Sequence, residues 1–222
     1  MPSWKSTKHE FGDAHRYLQE GKGNPLVFQH GLGGSANQVF EVLSPLPGIC
    51  LYSMNFRGHG STEMTDCTSP TLSQLLEDQV WFSKQVVQQP HAMGGLSLGA
   101  LVAVKLALAS ISMVTKLILL RPAWPTPECS VDFASAKSEI PKQLHSLLGL
   151  DPGFSLTELR SIQQPVMILG MPNDELHPIS FSKHLACCFP SAIFHQIPDK
   201  RADEISYRDS IRKHTLAFLH QK

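Results

Sequence analysis

Gly95-Leu96-Ser97-Leu98-Gly99 decides how the rest of the chain is read. The apolar stretch His91-Ala92-Met93-Gly94 runs into it, and an alanine-rich helical pattern from Ala100 to Ala109 runs out of it. That pattern predicts a strand, a sharp turn and a helix, with a serine at the apex. Glycines two positions to either side of Ser97 let strand and helix approach where a Cβ would clash. The turn would hold the hydroxyl at the C-terminal edge of a sheet, beside a helix N-terminus whose free N–H groups favour developing negative charge. A nucleophilic serine is the resulting expectation.

Working outward, apolar runs alternate with helical patterns. Leu26 to Gln29 and Ile49 to Phe56 read as strands, with a helix around Asn37 to Leu43 between them. Leu72, Leu75, Leu76, Val80, Val86 and Val87 recur at helical spacing over Leu72 to Val87. Beyond the helix from Leu98 to Leu108, strands are expected at Val114 to Leu120, Pro165 to Leu169 and Ala192 to Ile197. Helices are expected around Ile179 to Cys188 and from Glu204 to Leu219. Such alternation predicts the α/β class: a mostly parallel central sheet with helices on both faces. Phe11 to Gln19 would add one or two antiparallel edge strands.

The 222 residues suit a single domain over the whole chain. The stretch from Pro122 to Gln164 breaks the rhythm, with Pro122, Pro125, Pro127, Pro141 and Pro152 inside it and Pro165 at its flank. It lies between two central strands, at the sheet end where ligands bind, and reads as a reduced lid at about 122–164; the plainer reading is a surface excursion.

Nineteen basic and nineteen acidic residues balance, and no basic stripe points to a nucleic-acid partner. The five cysteines, Cys50, Cys67, Cys129, Cys187 and Cys188, have no metal-like spacing, and their odd number fits reduced thiols in a cytoplasmic protein. The first residues lack the apolar segment of a signal peptide. No run reaches the roughly 18 apolar residues of a membrane span. No metal and no organic cofactor is expected.

Four segments close predicted strands: His30-Gly31-Leu32-Gly33-Gly34, Phe56-Arg57-Gly58-His59-Gly60-Ser61, the Ser97 pentapeptide, and Gly170-Met171-Pro172-Asn173-Asp174-Glu175-Leu176-His177-Pro178. In this order and spacing they resemble the α/β-hydrolase fold family over roughly residues 11 to 220. The resemblance implies that Ser97 attacks an acyl carbonyl and that the backbone N–H groups of Leu32 and Leu98 form an oxyanion hole. It also implies that Asp174 is the acid, with Glu175 as the fallback. An ordinary turn is the plainer reading of Pro172-Asn173-Asp174.

The chain departs from the family pattern at the base. The loop after the last strand, where the family keeps its histidine, reads Pro198-Asp199-Lys200-Arg201-Ala202-Asp203-Glu204. His177, three residues after Asp174, ranks first as a substitute, then His59, then His195; Lys200 is a further candidate. A serine without a base is a poor nucleophile. Two functions therefore stand side by side: hydrolysis of a small ester, thioester or lactone through an acyl-Ser97 intermediate, or a catalytically impaired binding or accessory protein on the same scaffold. A nucleotide-binding reading of the first glycine-rich turn lacks the phosphate-loop lysine.

Overall fold

The computed structural model describes residues 2–8, 14–62, 69–109, 112–126, 133 and 135–221. Within them lie eight strands: β1 (Ser3–Lys8), β2 (Ala14–Glu20), β3 (Asn24–Gln29), β4 (Ile49–Met54), β5 (His91–Leu96), β6 (Val114–Leu120), β7 (Val166–Gly170) and β8 (Ala192–Gln196). The α-helices are α1 (Ala36–Leu43), α2 (Leu72–Phe82), α3 (Leu98–Ala109), α4 (Ile179–Ala186) and α5 (Glu204–His220). One sheet holds all eight strands in the order β1-β2-β4-β3-β5-β6-β7-β8. β1 and β2 pair antiparallel, as do β2 and β4, whereas β4-β3-β5-β6-β7-β8 pair parallel. The expected α/β architecture is the one observed.

The sheet's alternation of side chains sorts the core into two layers. Val27, Met93, Leu117, Leu119 and Ile168 face one side, with Phe82, Leu101 and Phe181 from α2, α3 and α4. Leu26, Phe28, Ile118, Leu120 and Leu169 face the other, with Phe40, Ile211 and Phe218 from α1 and α5. Helix α3 is apolar almost all round and buried from Leu98 to Val104, so its position under the sheet is fixed by packing on every face. Each fully buried Leu, Ile or Phe contributes about 1.5–3 kcal/mol. Lys116 ties α5 to the sheet: its Nζ donates to the carbonyls of Phe218, Leu219 and Gln221 at 2.9, 3.2 and 2.6 Å, supplying the last turn with a cation and a donor.

Three expectations shift. The edge supplies two antiparallel strands, and the outer one lies earlier than expected, at Ser3–Lys8; its sequence SWKSTK is polar, which left no apolar alternation to read. Phe11, Gly12 and Asp13 lie outside the described residues. The helical stretch from Leu72 divides into α2 and then a wider π-helical turn over Ser83–Val87, closed by Gln88 in the left-handed region (φ 60°). The stretch after Pro122 holds short 3-10 turns at Ser135–Ser138, Lys142–Leu147 and Glu158–Ser161, and Leu144, Leu147, Leu159 and Ile162 are buried in the core.

Among the described residues, Cys50 is a buried and Cys187 an exposed thiol outside any disulfide, while Cys67 and Cys129 lie outside the described residues. No helix of the described residues is long and apolar enough to cross a membrane.

Candidate active site

Between β5 and α3 the chain turns so tightly that Ser97 takes φ 53°, a left-handed conformation costing a non-glycine residue of order 1–3 kcal/mol. Its N–H donates to Leu120 O at 3.1 Å, and its carbonyl accepts from Ala100 and Leu101 at 2.9 and 3.2 Å. A Cβ on Gly95 would lie 2.1 Å from the Gly99 carbonyl carbon, and one on Gly99 would lie 2.4 Å from Gln29 O. The two glycines are therefore spatial requirements of the turn, and the turn lifts the Ser97 hydroxyl to the sheet's C-terminal edge.

The neighbouring strand exits complete the arrangement. From the loop after β7, His177 Nε2 lies 2.9 Å from Ser97 Oγ. Its Nδ1 lies 3.1 and 3.2 Å from Asp174 Oδ1 and Oδ2, and its backbone N–H donates to Asp174 Oδ1 at 3.1 Å. One carboxylate thus closes a short turn and orients the ring inside it. Pro178 then caps α4, its carbonyl accepting from Phe181 at 3.0 Å, which anchors the far end of the loop. His177 is 6% exposed.

Arg121, the first residue after β6, reaches the same carboxylate, with Nε donating to Asp174 Oδ2 at 2.6 Å. Its backbone is left-handed (φ 46°) although Pro122 follows it, and its N–H donates to Leu169 O at 2.7 Å. Buried Tyr207 of α5 also hydrogen-bonds its guanidinium. Nothing local in the sequence singles out Arg121; its one signal is a cation directly after the apolar run Leu117–Leu120 of β6, at the ligand end of the sheet.

These contacts set the charges. Burial alone would raise the Asp174 pKa, but the hydrogen bond and charge of His177, and then those of Arg121, outweigh it and hold the carboxyl at about 2. His177 lies below the usual histidine value: burial disfavours its cation most, and the Arg121 charge adds to that against the opposing pull of Asp174. An ionised Asp174 can only accept, so Nδ1 carries the proton and Nε2 presents its lone pair to Ser97.

The turn after β3 is pinned from several sides. His30 Nδ1 donates to Gly31 O at 2.8 Å, and Nε2 accepts the Phe56 N–H at 3.1 Å. Burial, then the proximity of His59, pushes the His30 pKa down to about 3, so this ring is a neutral strut. Gly31 N–H is taken by Gln38 Oε1 at 3.0 Å. The N–H groups of Leu32 and Leu98 find no acceptor among the described residues. Leu32, Ser97 and Leu98 line a tight apolar recess with Leu101 and Trp124. A second cavity of about 190 Å³ lies on the side of Gln38, Arg121, Leu176 and His177, also against Ser97.

The other candidates sit elsewhere. His59 is buried beside His30 and Phe56, with Nδ1 donating to Arg57 O at 3.0 Å. His195 on β8 stacks on His214, ring centroids 4.1 Å apart. Lys200 pairs with Glu204 at 3.6 Å, both about half exposed, and Glu175 is exposed.

The family model described as serine aminopeptidase, S33 matches residues 23–191. No curated protein matches the sequence. Among solved structures, an alpha/beta hydrolase fold protein from Chitinophaga pinensis superposes with a TM-score of 0.81 at 18% identity, covering 100% of this chain and 98% of that one. An N-acyl homoserine lactone degrading enzyme gives 0.78 at 18% identity, with 96% and 100% covered. The thioesterase domain from the curacin biosynthetic pathway gives 0.76 at 16% identity, with 98% and 99% covered. At these identities the superpositions establish the α/β-hydrolase fold.

Proposed function

The chain belongs to the serine aminopeptidase, S33 family, and on that premise we propose that it is a serine hydrolase acting on a small ester, thioester or lactone through an acyl-Ser97 intermediate. The observation that carries this reading is the continuous hydrogen-bonded line from Asp174 through His177 to Ser97 Oγ, closed at 2.9 Å. Serine becomes a nucleophile when an adjacent base accepts its proton, and the base works when a third group orients it.

In this reading His177 Nε2 takes the Ser97 proton as Oγ attacks the acyl carbonyl. Asp174, held ionised, fixes the tautomer and stabilises the imidazolium. The N–H groups of Leu32 and Leu98 receive the oxyanion; one such donor is worth about 3–4 kcal/mol of barrier. The imidazolium then protonates the leaving oxygen or sulfur, and water repeats the cycle to release the acid. The apolar recess beside Trp124 takes the acyl group, the larger cavity beside Gln38 and Arg121 takes the leaving group, and the segment from 122 to 164 acts as the lid. The N-acyl homoserine lactone degrading enzyme and the thioesterase domain on the same fold make lactone and thioester carbonyls the first substrates to try. The thiols of Cys50 and Cys187, outside any disulfide, favour a reducing, cytoplasmic setting. A binding protein without turnover is the rival reading, and the close His177–Ser97 contact favours the enzyme.

Turnover of short p-nitrophenyl esters and of acyl thioesters by the wild type and by Ser97→Ala tests the proposal. Hydrolysis that disappears in Ser97→Ala is the expected result. Hydrolysis unchanged in Ser97→Ala, or absent from the wild type with every ester, thioester and lactone offered, would overturn it.

A further inference from the structure

Nδ1 of His177 faces two partners with opposite demands. Asp174 oxygens lie 3.1 and 3.2 Å away and can only accept; Arg121 Nη2 lies 3.2 Å away and can only donate. When Nδ1 carries the proton, it donates to Asp174 and its N–H meets the guanidinium as a like pole. When Nδ1 is bare it accepts from Arg121, the ring proton moves to Nε2, and Ser97 faces no lone pair. Arg121 also holds Asp174 Oδ2 at 2.6 Å, so the carboxylate that should stabilise an imidazolium is already paired with a cation.

We propose that Arg121 is a positioning residue for His177: it fixes Asp174 in place while sharing its negative charge, and so opposes protonation of the imidazole. The other groups around it leave this balance intact. Tyr207, from α5, stays a neutral phenol because burial raises its pKa, and its hydroxyl supports the guanidinium. Arg201, from the loop after β8, is exposed and paired with Asp199, though its charge reaches Asp174 and Glu175. Glu175 is exposed, and Ser97 is neutral. The result is a base that stays unprotonated, and available, into mildly acidic solution, in exchange for weaker support of the imidazolium that forms on attack.

The inference rests on the proposed hydrolase reading for its meaning, but a titration that needs no turnover tests it. In ring-labelled protein, the NMR titration of His177 should have its midpoint below the ordinary value of about 6.5. Arg121→Met should raise that midpoint by about one pH unit, the size expected for removing a like charge at this range. Arg121→Lys, which keeps the charge, should hold it near the wild-type value. The acid limb of kcat/KM should move with the titration. A purely structural role for Arg121 would lower the plateau rate or the protein's stability and leave both midpoints where they were.

A wild-type midpoint at or above 6.5, or an Arg121→Met midpoint at or below the wild type's, would overturn the proposal. If Arg121→Met does not fold, the wild-type midpoint and Arg121→Lys still decide it, since Arg121→Lys raising the midpoint as a loss of charge would counts against it. Loss of the hydrolase reading would show separately, as absent Ser97-dependent turnover in a protein whose His177 still titrates low.

Discussion

Two loops leave the sheet side by side, one after β7 and one after β8, and they use charge in opposite ways. The first carries Asp174 and His177, a carboxylate and an imidazole three positions apart and nearly sealed from water, with side-chain exposures of 6% and 8%. The second carries Asp199, Lys200 and Arg201, and the Arg201 side chain is 65% exposed. Exposed pairs of the second kind contribute about 0–1 kcal/mol and are screened by salt. A buried carboxylate beside an imidazole shifts both groups' proton affinities. The difference teaches that burial and orientation, more than the number of charges, set a loop up for proton transfer; in the proposed mechanism the base comes from the β7 loop, which holds His177 Nε2 2.9 Å from Ser97 Oγ. Asp174 places His177 through two local hydrogen bonds, to its backbone N–H and to Nδ1.

The comparison breaks first at the β7 loop. His177→Gln and Asp174→Asn should each lower kcat by about 10³–10⁴-fold with KM little changed, as expected of groups that act on the transition state as one unit. A loss under tenfold in steady-state assays of either variant would move the base elsewhere. Acid should reach this loop through Asp174. Its folded pKa lies below the unfolded one, so the stability it contributes is full above about pH 4. That stability is lost as pH falls towards about 2. In Asp174→Asn this part of the acid-unfolding curve should flatten; an unchanged curve would contradict the assigned charge.

A smaller effect is expected at the Ser97 turn, which the β7 loop reaches through His177. Gly99→Ala places a Cβ 2.4 Å from Gln29 O. Overpacking of this kind costs about 1–3 kcal/mol, which calorimetry should read as a fall in Tm of several degrees. The smallest effects belong to the β8 side. Arg201→Ala and His195→Ala should leave kcat/KM within about threefold and stability within about 0.5 kcal/mol of wild type. A collapse of activity in either would reverse the contrast between the loops.

Periodicity located β3 to β8 and all five helices, because buried parallel strands are continuous apolar runs and helix spacing is local. β1 escaped because an edge strand facing water on both sides has no apolar pattern, and SWKSTK reads as loop. The pentapeptide announced the Ser97 turn, since the demand for glycine at positions 95 and 99 is itself local. Asp174 and His177 could be paired on paper because they are three residues apart. Which of three histidines reaches Ser97 could not be, for that depends on how the β7 loop folds back over the β5 turn. Arg121 was illegible for a stronger reason. It is 53 residues from Asp174, and only the β6–β7 register, Leu120 opposite Leu169, brings the two strand ends together.

In the proposed mechanism His177 activates Ser97. The rate of covalent labelling by a fluorophosphonate probe, compared among the wild type, His177→Gln and Ser97→Ala at equal folded concentration, tests it most directly. Rapid labelling of the wild type is expected, with labelling slowed by at least about 100-fold in His177→Gln, the lower range for losing a general base, and none in Ser97→Ala. Labelling of His177→Gln at the wild-type rate would contradict it.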